Sequence, residues 1–512
     1  MKKFYVTTPI YYANDIPHIG HAYTTIAVDI LARWHKILGE DVFFLTGTDE
    51  HGKKVENVAI ENNQSPKEYV DLLIPRFKAA WQKLNIEYSL FIRTTDKYHQ
   101  EVVKTLLNNS YKNGDIYKGF YEGFYCTGCE AYYPEKDLEE GRCPIHKSCV
   151  EKIKEETYFF KLSKYRERLL EHFENNKNFV LPESRRKEVL NRIKEGLQDL
   201  SISRTSFRWG IELPFDNKHI TYVWFDALAN YISGIDFPGD KFKKYWPADI
   251  HLVGKEILFF HSVFWPAILM SSGIELPKTI FAHGWWTLNK EKISKSRGKV
   301  INVDELIAIA GVDAARYFLF AETTFGQDGD FSPEGVIRRR DNELANDLGN
   351  LISRAVVMCE KYTENKVPVY SNVTSEEKVV EKAALDAVAA VNRSLEQIDF
   401  SGALQSIWVF IRLLNQYVEK TAPWKLAKAN EQERLKCVLY FLLEGLRIIA
   451  VLIYSFMPET SVKILAQLGL GVEHIHRGYE VITVFGYLKT ETALIKGPIL
   501  FPKEKKEKEN AG

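Results

Sequence analysis

The sequence predicts an α/β chain: a parallel-sheet domain, split by a metal-knuckle insertion and followed by an α-helical bundle. Three observations carry this. Short apolar or β-branched runs alternate with amphipathic segments on both sides of a cysteine-rich stretch, the pattern of a covered parallel sheet. Cys126, Cys129, Cys143 and His146 fall in two short-spaced pairs, as tetrahedral zinc requires. After Asp341 the β-type runs fade and apolar residues recur at helical spacing.

Phe4-Tyr5-Val6-Thr7-Thr8 is β-branched and aromatic and reads as the first strand. Pro9 to Pro17 breaks regular structure. His18-Ile19-Gly20-His21 then opens a helix with Ile26, Ala27, Ile30, Leu31, Trp34, Ile37 and Leu38 on one face, and Gly39 stands where it would stop. Unpaired N–H groups and a positive dipole end at such a helix start favour phosphate. Gly20 would let a flat ring lie on the backbone, and both imidazoles could donate to developing negative charge. Alone, these four residues read more readily as capping or core histidines; the rest of the pattern lies far down the chain.

Val42-Phe43-Phe44-Leu45 is continuous and apolar, as in a strand covered on both faces, and it leads into Thr46-Gly-Thr-Asp49-Glu-His-Gly52. Polar residues just past a buried strand are where α/β sheets bind ligands, so Asp49 is a candidate partner for a substrate ammonium. Helices are expected over Pro66 to Leu84 and Lys97 to Asn113. The knuckle, Cys126-x-x-Cys129 and Cys143-x-x-His146, supplies three thiolates and an imidazole; four protein ligands make the zinc structural. Cys149 is the alternative fourth ligand. Glu155 to Ser206 reads as charged and helical. Strands are expected again at Tyr222 to Ala227, Ile250 to Val253 and Thr279 to Trp286, with Gly254-Lys255-Glu256 turning into a helix. Lys292-Ile-Ser-Lys295-Ser-Arg-Gly-Lys299 is a basic loop; it is either solvated surface or a mobile cover for a triphosphate. Helices at 344–367, 375–397, 403–421 and 431–457 form the bundle, and 503–509 reads as a frayed tail.

Lys+Arg and Asp+Glu both number 68, so a nucleic-acid partner would have to use local basic patches. Six cysteines without an export signal point to metal ligation in a reducing, cytoplasmic setting. The longest apolar run, Cys437 to Met457, contains Glu444 and Arg447, which argues for a buried helix and against a membrane span.

His18-Ile-Gly-His21 together with Lys292-Ile-Ser-Lys295-Ser resembles the motif pair of class I aminoacyl-tRNA synthetases. VTTPIYYANDIPHIGHAYT, FLTGTDEHG, the knuckle, YVWFDALANYI, VGKEILFFHSVFWPA, FAHGWW, LGNLISR and APW run in one order along nearly the whole chain. Together they resemble the methionyl-tRNA synthetase family most closely. Two positions depart from it: Ile293 where methionine is usual, and Glu256 where a shorter aspartate is expected against ribose.

The resemblance implies a Rossmann-like catalytic domain in two halves, 1–115 and 220–290. The insertion would span 116–219 with its knuckle near 124–150, and 291–345 would hold the signature loop and linking segment. An anticodon-binding bundle over 346–485 and an extension over 486–512 would follow. The implied activity is ATP-dependent activation of L-methionine and transfer to tRNA(Met), initiator included, with Mg2+ accompanying ATP and one structural Zn2+. His18, His21, Lys292 and Lys295 would be catalytic. Tyr12, Asn14, His18, Gly20, His21, Gly254, Glu256 and Lys295 would bind ATP. Methionine would meet Ile10, Tyr12, Asp49, Trp224, Ala227, Leu228, Tyr231, Phe260 and His261, and the anticodon would meet Asn350, Arg354 and Trp424. A monomer without membrane association is expected, with a separate tRNA-binding subunit left open. Rival readings are a class I synthetase for another apolar amino acid, a small-molecule adenylyltransferase and a non-catalytic tRNA-binding relative. The first needs a large editing insertion for which 117–219 has little room, the second needs no helical domain, and the third sits poorly with intact His18, His21, Lys292 and Lys295.

Overall fold

A computed structural model describes residues 2–126, 131–133, 137–144, 147–288, 291–292 and 301–502. Lys3–Thr7 lies at the centre of a seven-stranded parallel sheet, between Asp41–Asp49 and Ile250–Gly254. Leu90–Arg93 extends the sheet on the first side; Ile280–His283 and then Val180–Leu181 extend it on the other. Tyr11–Tyr12 pairs with Thr48 and Asp49 at the carboxyl end of the long strand. Strand order therefore reverses beside Lys3–Thr7, with one sequence half on either side, and such a switch point opens a crevice at the strands' carboxyl ends.

The first helix, Ile19–Ile37, is buried nearly all round, beyond the single apolar face legible in sequence. One side packs on the sheet and the other meets the bundle, where Trp34 Nε1 donates to Asn392 Oδ1 at 3.2 Å. Arg316, on the helix Val312–Ala321, is fully buried between the two domains. Its guanidinium reaches Asp29 Oδ2 (2.6 Å) and Leu84 O (2.9 Å) on the catalytic side, and Ser455 O (2.9 Å) and Phe456 O (2.8 Å) in the bundle.

The insertion corrects the helical expectation for Glu155 to Ser206. Glu151–Phe160 pairs antiparallel with Ile116–Cys126, from Glu151 opposite Tyr125 to Phe160 opposite Ile116, and Leu200–Ser201 joins it. Helices Arg166–Asn175 and Glu183–Glu195 follow, and Val180–Leu181 between them crosses to the main sheet. Tyr222 to Ala227 is a second correction: Val223–Leu228 is helical, and the strand is Asp216–Thr221 just before it. Val223, Phe225, Ala227 and Leu228 are all buried, so no polar side marks the helical period. The expected strand Thr279 to Trp286 divides at Gly284, where any Cβ would lie 2.3 Å from Gln327 O. Beyond it, Trp286–Leu288 forms a small sheet with Gly329–Asp330 and Glu291–Lys292.

The bundle helices are Asn350–Tyr362, Ser375–Glu396, Phe400–Thr421 and Gln432–Ile453. Within the last, buried Glu444 pairs with Arg447 at 2.6 Å and accepts from the backbone of Gly486, Tyr487 and Leu488, docking the segment that follows. No helix among the described residues is long and apolar enough to cross a membrane. The tail 503–509 lies outside the described residues.

Candidate active site

The crevice at the switch point is a cleft of about 560 Å³. Of the predicted residues, Ile10, Tyr12, Asn14, His18, Gly20, His21, Asp49, Trp224, Gly254 and Glu256 line it together. They come from the ends of three parallel strands, the start of the first helix and, for Trp224, the short helix Val223–Leu228.

His18 is the N-cap of Ile19–Ile37: its Nδ1 accepts from Gly20 N at 3.1 Å, and His21 Nδ1 accepts from His18 N at 3.3 Å. The rings stack at 3.8 Å. Both Nδ1 atoms accept, so each neutral ring carries its proton on Nε2. The capping reading and the donor reading thus describe the same two side chains. A Cβ on residue 20 would lie 3.0 Å from His18 Cε1, so glycine leaves the imidazole its place.

Lys292 sits in a two-residue strand opposite Thr287. The remainder of the basic loop, 293–300 with Lys295, lies outside the described residues. Its exit is described: Ile301 O accepts from Ile19 N at 2.9 Å, and Asn302 bridges His18. Both ends of the loop are therefore anchored at the cleft, one beyond Trp286 and one at the helix start beneath the paired imidazoles.

Glu256 projects into the cleft just past its strand. Its Oε2 accepts from Trp285 Nε1 at 2.6 Å, and a Cβ on Gly254 would meet that carboxylate at 2.6 Å. Trp285 is held in turn by Asp328, which accepts from its backbone N–H at 2.8 Å and from Lys255 Nζ at 2.7 Å. Sequence reasoning missed Trp285 and His283 as lining residues; the polar break in FAHGWW, past a strand's carboxyl end, was the available signal.

At the Trp224 side of the cleft, Trp224 stacks on Phe260 with centroids 4.1 Å apart and rings nearly parallel. Ala227, Leu228, Tyr231 and His261 are buried behind that wall and, with Phe260, are not in the lining. His261 Nδ1 faces Ile257 O at 2.9 Å, so it carries the proton, and Nε2 accepts from Tyr231 Oη at 2.7 Å. Burial pulls this imidazole down to about 4, and it also pulls His251 and His283 below the ordinary histidine value. These rings are neutral at pH 7.

Cys126 and Cys143 are buried in one small lobe, joined through Ser148, whose Oγ is 3.7 Å from Cys126 Sγ and whose O accepts from Cys143 N at 3.0 Å. Cys149 is exposed. Cys129 and His146 lie outside the described residues; among the described ones no group of three or more metal-binding side chains forms. In the bundle, Asn350 and Arg354 stand one turn apart on one helix. The Arg354 guanidinium lies 5.7 Å from the ring centroid of Trp424, which is 39% exposed.

Two family models match. That of class I tRNA synthetases (M) matches residues 4–152 and 135–356; that of the anticodon-binding domain of methionyl tRNA ligase matches 367–511. A methionine–tRNA ligase of Caldanaerobacter subterraneus subsp. tengcongensis is 49% identical, over 100% of this chain and 80% of the relative. One of Bacillus subtilis is 44% identical over 99% and 79%. A solved Mycobacterium tuberculosis methionyl-tRNA synthetase in complex with methionyl-adenylate superposes with a TM-score of 0.95 at 40% identity, covering 98% of this chain and 100% of that one.

Proposed function

The chain belongs to the methionyl-tRNA synthetase family of class I, and from that premise we propose how its cleft performs the family reaction, ATP-dependent activation of L-methionine and charging of tRNA. The observation that carries the reading is the convergence, at one switch-point cleft, of the capped histidine pair and both ends of the basic loop.

The methionine carboxylate is ionised at neutral pH and attacks the ATP α-phosphate without a general base. What the site must supply is in-line placement and positive charge at the leaving pyrophosphate. His18 and His21 donate from Nε2 at the helix start, Lys292 and Lys295 supply positive charge, and Glu256 receives the ribose. Magnesium bound with ATP adds positive charge at the phosphates. Asp49 takes the methionine ammonium; Tyr12, Ile10 and the Trp224–Phe260 stack take the apolar side chain, whose sulfur suits ring edges. Asn350, Arg354 and Trp424 read the unpaired anticodon by hydrogen bonding and stacking.

Zinc in the insertion is part of this reading. Buried Cys126 and Cys143 in one lobe support it, and exposed Cys149 supports His146 as fourth ligand beside Cys129. Metal analysis of the purified chain should find one zinc per molecule. The chain is read as cytoplasmic and monomeric. Pyrophosphate exchange screened across the twenty amino acids tests the function: methionine should dominate, and exchange led by leucine, isoleucine or valine would replace this reading with the rival synthetase.

A further inference from the structure

Behind the amino-acid wall lies a buried line of polar side chains that none of the assignments above uses. Asp226 is 1% exposed, and its two carboxylate oxygens meet His51 Nδ1 and His99 Nε2, each at 2.7 Å. His99 Nδ1 is 2.8 Å from Ser233 Oγ. The carboxylate only accepts, so both imidazoles turn an N–H toward it, and the other ring nitrogen of His99 is left to hydrogen-bond with the serine hydroxyl. The imidazoles hold this carboxyl below its usual range.

The groups belong to three elements with different duties. His51 is two residues past Asp49 at the end of the long central strand. His99 lies on Lys97–Lys112. Asp226 and Ser233 lie on the short consecutive helices Val223–Leu228 and Asn230–Ser233, which carry Trp224 and Tyr231. A buried carboxylate is tolerated only with its oxygens paired, so the strand end and the helix are held at one spacing. Trp209 clamps the outer side: it lies edge-on to His51 at 5.3 Å, Gly52 N donates to its carbonyl and its Nε1 donates to Glu50 O.

We propose that Asp226 is a positioning residue for the amino-acid substrate, fixing the distance between the Asp49 wall and the Trp224 wall of the cleft through His51 and His99. The inference rests on the reading of this cleft as a methionine site. Its separation from ATP recognition follows from geometry: the network ties the Asp49 strand to the Trp224 helix, whereas the imidazole pair and Glu256 are built on other elements.

The test is pyrophosphate exchange by the full chain with methionine and ATP varied separately, alongside thermal unfolding. Asp226→Asn keeps the shape but can no longer accept from both imidazoles. It should raise the KM for methionine about tenfold, with the KM for ATP within about twofold. Ser233→Ala removes only the outermost hydroxyl; it should raise the methionine KM about threefold, again sparing ATP. An unchanged methionine KM in folded Asp226→Asn, or equal rises for both substrates, would overturn the proposal. If Asp226→Asn does not fold, Ser233→Ala decides by the same criterion. Failure of the wild-type chain to exchange with methionine would instead strike the functional reading itself.

Discussion

Glu256 shows how much one methylene changes. The sequence marked it as longer than the family's ribose-binding aspartate, and the structure shows where the extra reach goes: toward Trp285 Nε1. A hydrogen bond to a charged group is worth about 1.5–3 kcal/mol, so Trp285→Phe should loosen the carboxylate and raise the KM for ATP roughly tenfold in exchange assays, leaving methionine little affected. The buried histidines make a second residue-scale prediction. His251, His261 and His283 are neutral in the native state and titrate normally when unfolded. Their folded pKa values are depressed, so the unfolded chain binds more protons as pH falls below the unfolded value near 6.5. Stability is therefore fully present above that value and lost toward about 4, the native value for His261. Each such ring contributes a slope of about 1.4 kcal/mol per pH unit; denaturant midpoints measured between these limits check it. Sequence nominated His261 but not its tautomer, which is set by Ile257 O four residues away and by Tyr231 Oη on a separate helix.

Helix starts and strand ends were the legible features at the next scale. The histidine cap and the apolar run 42–45 each carried a local signal and stand where they were expected, whereas the Pro-rich break hides a two-residue strand, Tyr11–Tyr12, that only the long strand's end reveals. The helix Val223–Leu228 carried none, because burial on all sides erased its period and left a β-like composition. For the same reason sequence could name Trp224 but not the Asp226 network beneath it, whose partners lie 175 and 127 residues away. Gly20→Ala tests the first helix directly. The added Cβ would lie 3.0 Å from His18 Cε1, so the imidazole must shift by a few tenths of an ångström, and adenylate formation should slow. Rapid-quench kinetics would register this as a slowed chemical step, with the helix intact by circular dichroism.

At the scale of the molecule, catalytic domain and bundle are locked by Arg316, whose partners lie on both. Nothing in the sequence around Ala314-Ala315-Arg316 set this arginine apart, since its role exists only once Asp29, Leu84 and Phe456 converge. Arg316→Met leaves Asp29 its other buried partner, Arg33, but strips the donor from three buried carbonyls and should lower the urea midpoint of the whole chain. Trp424→Ala, on the exposed bundle face, should weaken tRNA charging while leaving pyrophosphate exchange intact; equal loss of both would assign Trp424 a structural role. On the proposed reading, catalysis needs the positive charge of Lys292 and Lys295 at the phosphates. Single-turnover adenylate formation by Lys295→Ala, with methionine affinity measured in parallel, tests that most directly. The rate should fall about a hundredfold or more with methionine affinity unchanged; a wild-type rate would contradict the assigned role of the loop lysines.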